Sequence, residues 1–487
     1  MNRKFFIEPS LSLLEKRILC CITNISSSNP EEIQTSSRLK DYLLELKNYT
    51  QDTEFANIGL GLKREALKLL QSLDDQMNSE PSECFIQIPS EQHVEQMKGM
   101  PAGGIEDQNI RLIHMSNAIR KGQKKHSMLP VITTEDVSLP QVWEELFAAI
   151  NKGCKKEAFA LLKQISSQDR IFQPLLAVHP IDYLKKIISY SIDAQRTGLK
   201  KINADILITP HTFELLIKDI ATTLMHPAKC YFSFGLPTHH AFSRESSGFC
   251  IFNKIAILIK NAELTHPNPL KHIIIGPDVN RDNGLSAVLR ESFSCLDICH
   301  IDIFDSRVYP HQDHSFIEYE FQTQGKAEQQ QIKSWHQNQM DYYAVDLKLT
   351  IRSSISIHPA LLFSLGKIKE NIVNAKRTGQ KIVLYLATGW DSHENETAYC
   401  GKFINDRMMS QSEAGTTRFN DGDLSYFFEE ILTLYSENKE LIESIYWGLE
   451  GGYERRMYEK QIQLMLDTID GQLLHEDINQ SSLGINC

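Results

Sequence analysis

The sequence predicts an α/β fold: a mainly parallel central sheet with helices on both faces, preceded by a helical N-terminal extension. Three observations predict it. From about Met128 onward, short and nearly continuous apolar stretches alternate with helical ones, the pattern of strands buried on both faces. A chain of 487 residues is long enough to bury a large core without covalent staples. Polar, glycine-rich segments follow several apolar stretches directly, and parallel sheets place their chemistry just past the carboxyl ends of strands.

Residues 1–126 read as a helical, rather polar extension. Leu39, Leu43, Leu44 and Leu46 mark a helix around residues 36–49. Leu62, Ala66, Leu69, Leu70, Leu73 and Met77 recur at helical spacing behind a cap at Thr53. The stretch from Lys98 to Gly104 is loop chemistry. The basic run Arg111, Arg120, Lys121, Lys124 and Lys125 reads as a solvated helix face or linker. The functional reading of the extension is regulatory or partner-docking. In residues 127–487 the strand expectations are Ala204–Ile208, Cys230–Phe234, His272–Ile275, Leu296–Ile301, Ile382–Ala387 and Ser444–Trp447. Helices are expected at Phe213–Thr223 and Leu361–Ala375, and no internal repeat is visible.

Composition narrows the function classes. A net charge of −11 argues against direct nucleic-acid binding. No apolar run reaches the roughly 18 residues of a membrane span. Glu8, Pro9 and Glu15 interrupt the N-terminus, so it makes a poor signal peptide. The ten cysteines are scattered without a CxxC pair. That pattern fits reduced thiols and a cytoplasmic or other intracellular setting, with export into another cell left open. With 17 histidines present, a metal site built from His and carboxylates is the one to look for.

Four polar segments follow four expected strands: Thr238-His239-His240, Gly276-Pro277-Asp278, Gly389-Trp390-Asp391 and Glu450-Gly451-Gly452-Tyr453. Each alone is weak. An adjacent His pair is unremarkable among so many histidines, and an Asp after a strand is commonly a cap or turn residue. Together they would bring two imidazoles, two carboxylates and a phenol to one crevice. That inventory suits metal-assisted hydrolysis: carboxylates hold a cation, a His activates water, and a phenol stabilises an oxyanion.

These residues resemble those of histone deacetylases and acetylpolyamine amidohydrolases. Thr238-His239-His240-Ala241 and Gly248 to Asn253 are similar to the family's His-pair segment. Asp278 to Gly284 falls at its first metal loop, Gly389 to His393 at its second Asp, and Leu449 to Tyr453 at its tyrosine turn. Leu129-Pro130-Val131 and Val178 to Leu184 resemble its opening segments. The match runs through residues 127–470 in the family's order. It implies the arginase–deacetylase fold, a three-layer α/β sandwich with a mainly parallel central sheet. It also implies a metal-dependent deacylase acting on acetylated lysine of a protein, or on an acetylated polyamine. By this resemblance His240 is general base and then acid, His239 supports it electrostatically, and Tyr453 binds the oxyanion. Asp278, Asn280 and Asp391 form the metal set, with zinc the family's usual ion. Phe249 lines a tunnel for an acyl-lysine chain, and Gly248 and Gly452 complete the substrate-binding set.

The sequence departs from the family at two positions. Asn280 stands where the family has a ligand His, which leaves an oxygen-only set that favours Mn²⁺, Fe²⁺ or Mg²⁺, unless His300 or His393 substitutes. Gly276 stands where the family has an Asp that orients the first His, so His239 is expected to lack an orienting partner, whereas Asn283 remains for His240. These departures motivate a second function, a catalytically impaired binding protein for acyl-lysine or a protein partner. An arginase-like ureohydrolase, hinted at by Asp282, is a third.

Overall fold

The computed structural model describes residues 82–474 except 100, 103–105, 127–128, 204, 227, 294, 311–325, 330–331, 349, 351–355, 398–402 and 405–406, together with Ile18, Cys21 and Leu46. The chain divides into two compact units, Met1–Ser82 and Glu83–Cys487. In the first unit Ile18, Cys21 and Leu46 are helical and buried. The helices expected around 36–49 and 62–77 otherwise lie outside the described residues.

Ten strands form the main sheet of the second unit: β1 (Ser82–Ile88), β2 (Val131–Thr133), β3 (Ala228–Ser233), β4 (Lys271–Pro277), β5 (Asp297–Phe304), β6 (Lys326–Gln329), β7 (Ile332–Gln337), β8 (Met340–Asp346), β9 (Ile382–Thr388) and β10 (Ile442–Leu449). Their spatial order is β6-β7-β8-β5-β4-β9-β10-β3-β1-β2. The pairs β8/β5, β5/β4, β4/β9, β9/β10, β10/β3 and β1/β2 are parallel, while β6, β7 and β8 form an antiparallel edge. Every residue of β4 and β9 is buried, as strands covered on both faces require.

Successive side chains point to opposite faces of a strand, and the two apolar layers follow that alternation. Ile273, Ile275, Leu384, Leu386, Ile445 and Trp447 pack with helices α1 (Gln108–Lys125), α4 (Pro359–Thr378), α5 (Asp421–Ser436) and α6 (Arg455–Ile469). Ile274, Val383, Tyr385 and Tyr446 pack with α2 (Thr212–Met225) and α3 (Lys254–Thr265) on the other face. The result is the expected helix–sheet–helix sandwich.

Two expectations are corrected here. Ala204–Ile208 does not supply a strand of the parallel sheet. Only Leu207–Ile208 is extended, and it pairs with Lys200–Lys201 in a separate two-stranded sheet. The sequence boundary at residue 126 falls inside the second unit. β1 alternates, with Cys84, Ile86 and Ile88 buried in the α1 layer, and it pairs in parallel with β2. Met115 and Ile119 of α1 join that layer too. The polar residues between these apolar positions are what made the region read as an extension.

One ion-pair cluster ties the carboxyl end of β5 to the rest. Asp305 lies 2.7 Å from both the Arg418 and the Arg307 guanidinium groups, and its amide donates to the Val279 carbonyl at 2.9 Å. Burial alone would raise the Asp305 pKa, but the two arginines outweigh it and hold it below the usual carboxylate range. A lowered folded-state pKa gives stability that is present above the unfolded value and lost only as pH falls through the folded one. Asp305→Asn is therefore expected to cost about 3–5 kcal/mol, because it strands buried Arg418 without its charge partner. Denaturant titration checks this, and the deficit should be the same at about pH 6 and about pH 8, far above the Asp305 titration.

Candidate active site

Five adjacent strands, β5, β4, β9, β10 and β3, end side by side, and the residues just past their carboxyl ends converge. The segment after β3 delivers His239 and His240, both almost fully buried, with ring centroids 3.9 Å apart. His239 Nδ1 donates to Asp282 Oδ1 at 2.7 Å, and His240 Nδ1 donates to Asn283 Oδ1 at 2.6 Å. Each imidazole therefore carries its proton on Nδ1 and turns Nε2 the other way. Glu450, buried at the end of β10, accepts from the Thr238 and His239 amides and from the Thr238 hydroxyl, and so fixes the backbone that carries the pair.

The two imidazoles sit in opposite fields. Burial disfavours protonation of His239, but Asp278, Asp282 and Glu450 outweigh it and raise its pKa to about 10. Burial and the neighbouring His239 charge push His240 well below its ordinary value. The two rings are thus shifted in opposite directions, and with Nδ1 of His240 committed to Asn283 its Nε2 is left as the acceptor.

Asp278 and Asp391 follow β4 and β9 and are fully buried. Burial and the Asp391 carboxylate raise the Asp278 pKa well above its ordinary value, and burial likewise raises Asp391. Glycines make the close approach possible. A Cβ on Gly389 would lie 1.7 Å from Asp278 Oδ2, and one on Gly451 would lie 1.9 Å from Asp391 Oδ2. Two buried carboxylates confined this way need either a proton or a cation between them. Asn280 stands beside them. Its Nδ2 donates to the Tyr309 carbonyl at 2.7 Å, and a carbonyl can only accept, so the amide oxygen is the remaining donor to a metal. The oxygen set therefore fits a divalent cation.

Neither histidine suggested as a substitute ligand takes that part. His300 Nε2 is 3.0 Å from Asp282 Oδ2, and His393 lies 3.3 Å from Asp421 and accepts from the Asn395 amide. Among the described residues, His239, Cys250 and Glu450 form a group with ligand atoms within 4.8 Å of one another. The Glu450 oxygens are committed to the Thr238–His239 segment, and the Cys250 thiol donates to the Gly248 carbonyl.

A cavity opens onto these groups, lined by Pro237, His239, His240, Gly248, Phe249, Asn280, Tyr309, Asp391, Gly451 and Tyr453. Gly248 and Phe249 both have positive φ, +49° and +65°. A Cβ on Gly248 would meet the His240 ring at 2.4 Å, so the loop lies against the imidazole only because that residue is glycine. Phe249 and Tyr453 meet edge-on at 6.4 Å between centroids, and Tyr309 stands edge-on to His240 at 5.1 Å. Asp278 lies behind Asp391 rather than on the wall. Gly452 is also off the wall: its φ of +111° turns the chain into Tyr453.

Sequence reasoning missed the groups that hold the Tyr453 turn. Arg111, read as part of a solvated basic face, is buried. Its guanidinium donates to the carbonyls of Glu450, Gly451 and Gly452 at 2.7, 3.3 and 3.0 Å and stacks 5.0 Å from the Tyr453 ring centroid. Buried Glu396 accepts from the Tyr453 and Glu454 amides at 2.6 and 3.1 Å. The rest of the basic run behaves as expected, with Arg120 and Lys125 exposed and paired to surface acids. Only the apolar spacing of Leu112, Met115 and Ile119 hints that Arg111 lies on the inner side of α1. The expectation that Gly276 leaves His239 unpartnered is overturned, because Asp282 reaches it from the following loop.

Residues 140–469 match the family described as the histone deacetylase domain. The fold is similar to that in the crystal structure of the HDA15 HD domain, with a TM-score of 0.50 and 12% identity over 80% of this chain and 90% of that one. No curated protein matches the sequence.

Arg111→Met removes the donors to three carbonyls while keeping much of the apolar stem. It should lower unfolding stability by roughly 1–3 kcal/mol, measurable by thermal or denaturant unfolding. Arg111→Lys should fail to restore it, because an ammonium cannot spread donors over three consecutive carbonyls.

Proposed function

Because this chain belongs to the histone deacetylase family, we propose that it is a metal-dependent deacylase that hydrolyses the amide of an acetylated lysine. The observation that carries this reading is the pair of buried carboxylates Asp278 and Asp391, set beside the His239–His240 pair at the base of a cavity that Tyr453 also lines. Asp278, Asn280 and Asp391 would hold a divalent ion. When bound, that ion supplies Lewis acidity toward the amide carbonyl and lowers the pKa of water.

The chain's own residues do the rest. His240, neutral and with Nδ1 committed to Asn283, takes the proton of the attacking water at Nε2 and later delivers it to the leaving amine. His239, with Nδ1 held by Asp282, stands beside it and supports the developing negative charge electrostatically. The Tyr453 hydroxyl donates to the oxyanion, on a turn fixed by Arg111 and Glu396. Phe249 and Tyr309 flank the cavity with aromatic surface suited to an aliphatic four-carbon stem.

The donor set also bears on which ion is preferred. Three oxygens form a harder site than one with an imidazole, so Mn²⁺, Mg²⁺ or Fe²⁺ compete with zinc more effectively here than in a histidine-containing set. The same Asn280 favours a second reading, a catalytically impaired binder of acyl-lysine. It predicts peptide binding that a chelator leaves unchanged, with no turnover.

Purified protein supplied with Zn²⁺, Mn²⁺ or Fe²⁺ should hydrolyse an acetyl-lysine peptide. Tyr453→Phe should reduce kcat roughly 100–1,000-fold through loss of one oxyanion donor. Asp278→Ala should abolish both activity and metal retention. Protein that is metal-free and inert with every divalent ion would overturn the deacylase reading. Asn280→His should shift the metal content, read by elemental analysis after growth in mixed metals, toward zinc.

A further inference from the structure

We propose that Asp282 and His300 are positioning residues for His239, forming a buried His239–Asp282–His300 string that replaces an orienting carboxylate on strand β4. The proposal rests on the acid–base reading of the site given above.

A Cβ on Gly276 would sit 2.2 Å from Asp282 Oδ2 and 2.8 Å from its carboxyl carbon. The Asp282 carboxylate thus occupies the space into which a side chain at 276 would project. A carboxylate can be supplied from the strand or from the loop, but not from both. The absence of a side chain at 276 and the presence of an acid at 282 are one feature.

Both Asp282 oxygens are committed. Oδ1 accepts from His239 Nδ1 at 2.7 Å, and Oδ2 accepts from His300 Nε2 at 3.0 Å. The His300 and Asp282 side chains are fully buried, and His239 is nearly so. A carboxylate held by an imidazole N–H on each oxygen cannot rotate, and a fixed acceptor fixes the plane of the His239 ring. The Asp282 amide donates to Asp302 Oδ1 at 3.2 Å, and Asp302 also takes the Tyr342 hydroxyl. Asp302 stands opposite Gly276 in the β4/β5 register, so the support is built on the neighbouring strands β5 and β8. His300, two residues earlier on β5, packs edge-on against Tyr342 at 5.2 Å. The His300 end is fully buried, so the string serves to hold orientation.

The test moves the carboxylate back. In full-length protein with ¹⁵N-labelled histidine, the His239 Nδ1–H resonance, assigned with His239→Ala, should disappear in Asp282→Ala. It should return in the double variant Gly276→Asp/Asp282→Ala. On an acetyl-lysine peptide with saturating metal, Asp282→Ala should lower kcat roughly 10–100-fold with little change in KM or metal content, and the double variant should recover most of it. His300→Phe, which keeps the ring packed on Tyr342, should weaken the same resonance and lower kcat less than Asp282→Ala does. If Asp282→Ala does not fold, Asp282→Leu keeps the volume and carries both readouts. A His239 Nδ1–H resonance unaltered by loss of Asp282, or a folded double variant no better than the single one, overturns the proposal. If the wild-type protein hydrolyses no acyl-lysine peptide, the deacylase reading fails and the resonance alone decides the string.

Discussion

The arrangement depends on two buried carboxylates. Asp278 and Asp391 leave adjacent parallel strands at the same level, and burial makes their mutual repulsion expensive. Everything near them offsets that cost or makes room for it. Gly389 and Gly451 give up side chains so that the carboxylates fit. The amides of Val279 and Gly451 point at them, at 3.3 and 3.4 Å. His239 Nε2 lies 4.0 Å from Asp278 Oδ2. A divalent ion is the compact way to finish the balance, so the fold itself argues for the cation that the proposed chemistry needs.

How much of this was legible in the sequence follows from which interactions are local. The endings after β3, β4, β9 and β10 could be read because strand, turn and functional residue are contiguous. Four such endings on one sheet converge whatever the loops between them do. Arg111 could not be read that way. It lies far from Tyr453 in the chain, and its type says only that it is charged; burial against three carbonyls is a property of the packed α1. Glu396 is hidden for the same reason. The antiparallel edge β6–β8 was missed because exposed edge strands carry polar residues at alternate positions and lack the continuous apolar run that marks β4 and β9.

Asp282 shows a subtler limit. The sequence does display both the missing acid at 276 and an acid at 282. Linear comparison scores the first as a loss and the second as a surplus. In three dimensions both positions reach the same few cubic ångströms beside His239 Nδ1. What has to be kept is an oxygen at a point in space, and a tight loop following β4 offers more than one residue from which to place it. Departure at a motif position is therefore weak grounds for inferring a dead site until the volume it vacates has been accounted for.

The same accounting gives Asn280 a second consequence. Its amide nitrogen holds the Tyr309 carbonyl, the Tyr309 ring stands against His240, and the Tyr309 hydroxyl bonds to Ser247 beside Gly248. The side chain proposed to offer its oxygen to the metal is thus also the one that anchors a wall of the cavity. An imidazole at 280 would strengthen zinc binding, but if it used one nitrogen on the ion it would have to reach the Tyr309 carbonyl with the other. Asparagine splits the two tasks between its oxygen and its nitrogen, which sit a fixed distance apart on one planar group. On the proposed reading, metal preference and the shape of the cavity would then be coupled through a single amide. A weaker, harder metal site is the physical counterpart of a wall held in place by the ligand itself.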